Sequence, residues 1–256
     1  MGDIPQLGFG TYRLNDNTYE SVKFALQNGY THIDTAPLYK NEEQVGRAIK
    51  DSGIDRKNIF VTTKISRKEL KSNKIQESIE ESFKKLGLDY IDLILLHEPI
   101  DYEKNWDLLE KYYSTIGKNK VINIGVSNYN ENHLHQIISK KKPFCNQIEI
   151  NPFLLRNNIV NFCNNNDIKI VAHSPLAKGE KMNDNQLMNV SINNKITPAQ
   201  TMLLWNLQQN HVIIPRSKNN NHIIENIVTN KEILSQDDLN LINTFDCQYA
   251  THPKYL

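Results

Sequence analysis

Short apolar runs alternate along the chain with longer stretches whose apolar residues recur every three or four positions. The first run, Leu7-Gly8-Phe9-Gly10-Thr11, precedes a helical stretch over 18–28. Strand 31–35 precedes helix 42–52, and strand 59–64 precedes helix 73–86. In that last helix Ile75, Ile79, Phe83 and Leu86 repeat on one face. Strand 91–96 leads to a helix around 106–116, strand 121–126 to helix 131–140, and strand 145–149 to helix 158–166. Strand 168–172 is followed by a longer loop and helix 198–209, and strand 211–214 by helix 220–229. A last helix, about 236–245, adds no strand. Trp106 and Trp205 fall inside helical patterns and are expected in the core.

Sequential strand–helix alternation predicts a parallel sheet with right-handed crossovers. Eight such units in 256 residues predict closure into an α/β (β/α)8 TIM barrel, one domain over 1–256 with one extra C-terminal helix. The alternative is an open doubly wound sheet. It would be expected to carry a Gly-x-Gly-x-x-Gly phosphate loop, and Gly8-Phe9-Gly10 has no third glycine.

The formal net charge of +1 gives no bulk field toward nucleic acid or a membrane surface, so no partner of either kind is expected. The densest basic run, Lys140-Lys141-Lys142, is expected at the end of a helix, where cations oppose the dipole. No run approaches the ~18 apolar residues of a membrane span. Met1-Gly2-Asp3-Ile4-Pro5 has neither a basic nor an apolar leader, and Gln6 stands where myristoylation would need a hydroxyl. Cys145, Cys163 and Cys247 are widely spaced, which predicts buried thiols, no zinc site and a reducing, cytoplasmic compartment. Asparagine runs such as Asn164-Asn165-Asn166 and Asn219-Asn220-Asn221 suit loops and caps.

The chemistry gathers at strand ends. The second strand ends in Asp34, with Tyr39 in the loop after it, the third in Lys64 and the fourth in His97. In a parallel barrel those ends share one face. An ammonium ion paired with Asp34 favours phenolate over phenol, so Tyr39 is expected to have a lowered pKa and to act as a general acid. His97 can add a hydrogen bond to the same carbonyl oxygen. A site that protonates a carbonyl oxygen needs a hydride for its carbon, hence a nicotinamide cofactor.

The sequence resembles the aldo-keto reductases. The resemblance rests on Gly8-Phe9-Gly10-Thr11, on His32-Ile33-Asp34-Thr35-Ala36 with Tyr39, and on Gly46 in the next helix. It continues through Gly125-Val126-Ser127-Asn128-Tyr129, Gln147 with Asn151-Pro152, His173-Ser174-Pro175-Leu176, and Ile214-Pro215-Arg216-Ser217 with Glu225-Asn226. The branch is similar to the small reductases related to 2,5-diketo-gluconate reductase and prostaglandin F synthase. The resemblance implies Tyr39 as proton donor tuned by Lys64 and Asp34, with His97 orienting the carbonyl. It implies Ser127, Asn128 and Gln147 on the nicotinamide carboxamide, and Arg216, Ser217, His222, Glu225 and Asn226 at the adenosine end. Gly10, Thr11, Tyr12, Asp34, His173, Ser174 and Leu176 complete the implied cofactor site; Tyr12, Tyr39, His97 and Glu98 are the implied substrate contacts. The segment after strand 8 also suits a phosphate by its helix start.

Several positions depart from the family. His173 stands where members carry a large aromatic under the nicotinamide; it either stacks there or makes a strand-end hydrogen bond. Arg216 and His222 replace the usual lysine and arginine, which keeps the NADPH preference and leaves NADH as second choice. Glu98 replaces a pocket tryptophan; it either makes the mouth polar and disfavours anions or points to solvent. The N-terminal hairpin is expected to be short, and the short tail through Leu256 to leave the pocket open on that side. The expectation is therefore a monomeric reductase of a small-molecule carbonyl that needs no metal. The alternative is a non-catalytic nicotinamide-nucleotide-binding regulatory protein on the same fold.

Overall fold

A computed structural model describes residues 3–228 and 233–255. Met1, Gly2 and Leu256 lie outside them, and so does the expected end of helix 220–229 at Thr229. Eight strands form one sheet in sequence order: β1 (Phe9–Gly10), β2 (His32–Asp34), β3 (Phe60–Ile65), β4 (Ile91–Leu96), β5 (Val121–Ser127), β6 (Cys145–Glu149), β7 (Lys169–His173) and β8 (Val212–Ile213). Every neighbouring pair is parallel. The sheet closes on itself. Leu7 bridges Ile213, Gly8 N donates to Ile213 O at 2.8 Å and Ile213 N donates to Gln6 O at 2.7 Å. The barrel expected from the alternation is the barrel that forms.

Period-two alternation splits the strand residues between two layers. Leu93 and Leu95 of β4, Cys145 of β6, Val171 of β7 and Val212 of β8 cluster inside the barrel with Phe60 and Ile214. Ile4, from the segment before β1, joins them. Ile94, Leu96, Ile148 and Ile170 belong instead to the larger cluster beneath the helices.

The helices are α1 (Thr18–Gln27), α2 (Glu42–Asp51), α3 (Arg67–Lys71), α4 (Ile75–Leu86), α5 (Tyr102–Thr115), α6 (Glu131–Ile138), α7 (Asn157–Asn165), α8 (Asn185–Asn193), α9 (Pro198–Gln208), α10 (Asn220–Glu225) and α11 (Gln236–Ile242). Caps set several boundaries. Thr197 accepts from Gln200 N while Pro198 stands in the first turn of α9, and Gly87 closes α4 at φ 62°. Gly46 lets α2 lie on the end of α4: a Cβ there would sit 2.0 Å from Leu86 O. Trp106 and Trp205 are both buried.

Four expectations need correction. The loop after β7 contains a helix, α8, whose buried residues are only Leu187, Val190 and Ser191, too few for a clear periodic signal. Helix α5 begins at Tyr102, earlier than the pattern suggests, because Asn105 turns its amide onto Ile100 O and Leu70 O. The lysine run lies just past the end of α6, with Lys140 paired to Asp107 at 2.8 Å. Cys145 and Cys163 are buried but Cys247 is exposed, so the prediction of uniformly buried thiols fails there.

Candidate active site

Barrel parity decides which side chains face the axis. Asp34, Lys64, His97, Ser127, Gln147, Glu149 and His173 all fall on the inward register at the C-terminal ends of β2 to β7. Lys64 is fully buried and its Nζ donates to Asp34 Oδ1 at 2.5 Å, to Thr35 O at 3.0 Å and to Tyr39 Oη at 3.4 Å. The second oxygen of Asp34 accepts from Gln147 Nε2 at 2.7 Å. Tyr39 ends a 3-10 turn, Pro37–Tyr39, that drops from β2 back over the barrel mouth. Its ring lies 6.0 Å from that of His97 and 5.1 Å from that of Tyr12.

The electrostatics differ in one respect from the sequence-based expectation. Burial disfavours the Lys64 ammonium, but Asp34 and Tyr39 more than offset it and its pKa is raised. Tyr39 was expected to be lowered; it is raised. Burial of the phenol is the larger influence, and the Lys64 charge that would lower it is already shared with Asp34. Tyr39 thus keeps its proton through neutral pH. His97 is held well below its ordinary value by burial and by the Lys64 charge, so its ring is neutral. Its Nδ1 has no hydrogen-bond partner among the described residues.

A cavity of about 940 Å³ runs from this cluster to the far side of the barrel mouth, a size suited to a bound small molecule. Gly10, Thr11, Tyr12, Asp34, Tyr39, His97 and Glu98 line one part of it. Ser127, Asn128, Gln147, His173, Ser174 and Leu176 line the middle, and Arg216, Ser217, His222, Glu225 and Asn226 the other end. Of the residues singled out from the sequence, Lys64 alone stands behind the wall rather than on it.

The middle is tightly bonded. Ser127 Oγ donates to Gln147 O at 2.9 Å. Asn128, in a left-handed conformation at φ 62°, sends Nδ2 to His97 O at 3.0 Å and faces His173 Nε2 with Oδ1 at 3.1 Å. Gln147 spends its amide nitrogen on Asp34. His173 makes the strand-end hydrogen bond and also lines the cavity, so its two readings are compatible.

At the far end Ser217 is buried and Arg216 is exposed. The Arg216 pKa is lowered by burial and by the charge of Arg13, which reaches the same cavity from the β1–α1 loop. Two guanidiniums repelling each other, with hydroxyl and amide donors beside them, suit a phosphate-bearing ligand. Extended cavity, cationic end and acid–base cluster together fit a nicotinamide dinucleotide. The sequence reading missed Arg13, whose only signal is a basic residue close after Gly10-Thr11.

At the substrate end one of the two readings of Glu98 falls and the expectation of an open tail side is corrected. Glu98 does not point to solvent; it is buried between Arg67 at 2.8 Å and Lys254 at 3.3 Å. The tail does not leave the pocket open. His252 and Lys254 line the cavity, and Glu149 at the end of β6 holds Thr251 and His252. Among the described residues no group of His, Cys, Asp and Glu could hold a metal ion, and no helix is long and apolar enough to cross a membrane.

The sequence profile of the Aldo/keto reductase family matches residues 6–246. Glycerol 2-dehydrogenase (NADP(+)) of Saccharomyces cerevisiae is 34% identical over 279 residues, covering 94% of this chain and 86% of that protein. Glyoxal reductase of Bacillus subtilis is 36% identical over 250 residues, with 95% and 90% covered. Among solved structures, MGS-M4, an aldo-keto reductase enzyme from a Medee basin deep-sea metagenome library, superposes with a TM-score of 0.93 at 34% identity, covering 98% and 94% of the two chains.

Proposed function

The chain belongs to the aldo/keto reductase family, and we propose that Tyr39, Lys64, Asp34 and His97 are the residues that carry its reaction. As a member of that family it is an NADPH-dependent oxidoreductase that reduces an aldehyde or ketone to an alcohol. Bound NADPH supplies the hydride. Every other task falls to the protein.

Arg216, Arg13 and Ser217 would hold the phosphate-bearing end of the cofactor, with His222, Glu225 and Asn226 lining the space for its adenosine. Ser127, Asn128 and His173 would hold the nicotinamide end. The carbonyl oxygen lies between Tyr39 Oη and the neutral His97 ring, which donates a hydrogen bond and fixes the carbonyl plane. As negative charge develops on that oxygen, the Tyr39 proton moves to it. Lys64, 3.4 Å from Oη, stabilises the phenolate left behind. A phenol that stays protonated at neutral pH suits the reductive direction.

The observation that carries this reading is the dry Lys64–Asp34 pair with Tyr39 Oη at its edge. Burying an ion pair in a barrel mouth stabilises little by itself; its use is to stabilise charge on the phenol. A small dicarbonyl such as glyoxal, the compound in the name of the Bacillus subtilis relative, is a candidate substrate for the part of the cavity lined by Tyr12, Tyr39 and His252. An exposed Cys247 thiol suits a reducing cytoplasm.

The test is NADPH oxidation by purified protein with a panel of small aldehydes, dicarbonyls and keto-sugars, run beside Tyr39→Phe. Loss of roughly 10²–10⁴-fold in kcat with NADPH affinity kept is expected for removal of a general acid. Binding of NADPH without turnover in the native protein would favour a regulatory role instead.

A further inference from the structure

Glu149 ends β6 on the inward register, and its side chain is 1% exposed. A carboxylate taken out of water must be met by donors. Here the donors come from the tail, about a hundred residues further along the chain. Thr251 gives its backbone N at 2.8 Å and its Oγ1 at 2.6 Å to one oxygen; His252 N reaches the other at 3.0 Å. The His252 ring closes the set with Nδ1 at 3.5 Å. These bonds overcome the effect of burial and bring the Glu149 pKa down to about 2.

What the latch holds is a wall of the reaction chamber. The His252 ring meets His173 edge to face, with centroids 5.9 Å apart, and His173 in turn bonds Asn128. Beyond residue 250 the described residues form one short 3-10 turn, and besides Glu149 the segment is tied down by Lys178 Nζ, which donates to Thr251 O at 2.8 Å, and by the Lys254–Glu98 pair at 3.3 Å.

We infer that Glu149 is a positioning residue: its carboxylate latches the C-terminal segment Thr251–His252 across the barrel mouth, closing the carbonyl end of the cavity and seating His252 behind His173. Glu149 touches neither carbonyl nor cofactor; it acts through the tail. Its effect on substrate rests on the reductase reading, whereas its effect on the tail does not.

Glu149→Gln keeps the volume but turns one oxygen into an NH2 group that faces the His252 N–H, donor against donor. In the full chain without cofactor, amide hydrogen exchange at Thr251 and His252 should quicken about tenfold or more. With saturating NADPH, KM for the carbonyl should rise by about tenfold while kcat moves by less than about threefold. Thr251→Val, at a half-buried tail position outside the barrel's strands and helices, should give a smaller change in the same direction. In a chain ended at Ala250, Glu149→Gln should change KM no further. Unchanged tail exchange in Glu149→Gln, or the same KM increase in the shortened chain, would overturn the latch. A native protein that exchanges as expected yet turns over no carbonyl would leave the latch standing and remove the reductase reading.

Discussion

Replacing Lys64 by methionine separates the cost of the site from its use. The ammonium is fully buried and its partner Asp34 only 3% exposed, 2.5 Å away. Without Lys64, Asp34 keeps one donor, the Gln147 amide at 2.7 Å, and becomes a buried carboxylate with no counter-charge beside it. Breaking a buried pair in this way costs roughly 3–5 kcal/mol. For a chain of 256 residues that is a fall of about 6–20 °C in thermal midpoint. The unpaired carboxyl also binds a proton more readily folded than unfolded. Stability of Lys64→Met therefore improves relative to native as pH falls from neutrality toward ~4, the opposite of an ordinary paired aspartate. Adding Asp34→Asn restores a neutral interior and keeps an acceptor for Gln147, so the double variant should regain most of the loss. Turnover should stay depressed by at least ~10²-fold in both, because nothing then stabilises charge on Tyr39. Urea unfolding of the three proteins at pH 5 and 7, beside NADPH oxidation, measures each quantity. A single variant that costs under ~1 kcal/mol, or a double variant no more stable than the single, would refute the account of a buried, mutually dependent pair.

Two further outcomes follow from burial. His32 lies inside the barrel, donating to or accepting from Thr62 Oγ1 at 3.0 Å, and burial holds its pKa down to about 4. Between pH 6.5 and 4 the unfolded chain takes up a proton that the folded chain does not, so stability falls on acidification by up to about 1.4 kcal/mol per pH unit for this group. His32→Gln should flatten the pH dependence of urea unfolding by that amount near pH 5, and an unchanged slope would contradict it. Of the three cysteines, burial raises the thiol pKa of Cys145 and Cys163, while Cys247 is exposed. A thiol reagent should therefore modify one cysteine quickly in the native protein and the other two only on unfolding, as mass spectrometry of the labelled chain would read.

Part of the candidate site was legible from strand ends alone. Asp34, Lys64 and His97 need only two facts, that they stand at the ends of inward-facing strands and that the sheet is parallel and closed; Ser127, Gln147 and His173 were reached only through the family resemblance. Arg13 was not legible, because a loop arginine carries no periodic signal and only the fold brings it to Arg216. The direction of the Tyr39 shift was misread for a related reason. Sequence gives the charge of Lys64 but not the depth at which the phenol is buried, and depth is the larger influence here.

The alternation of short apolar runs with amphipathic stretches determined the barrel, because period-two strands buried on both faces and three-to-four periodic helices have few other ways to cover one another. It determined which polar residues stand at the mouth. Tertiary structure alone decided the course of the tail. Thr251 and Glu149 are 102 positions apart, and their side chains have no pattern in common along the chain. A hydrogen bond over that distance exists only because β6 ends where the last turn passes. The same holds for Glu98, whose burial between Arg67 and Lys254 comes from three segments meeting at one rim. Local periodicity encodes which face a residue takes; which faces meet is set by how the closed barrel packs.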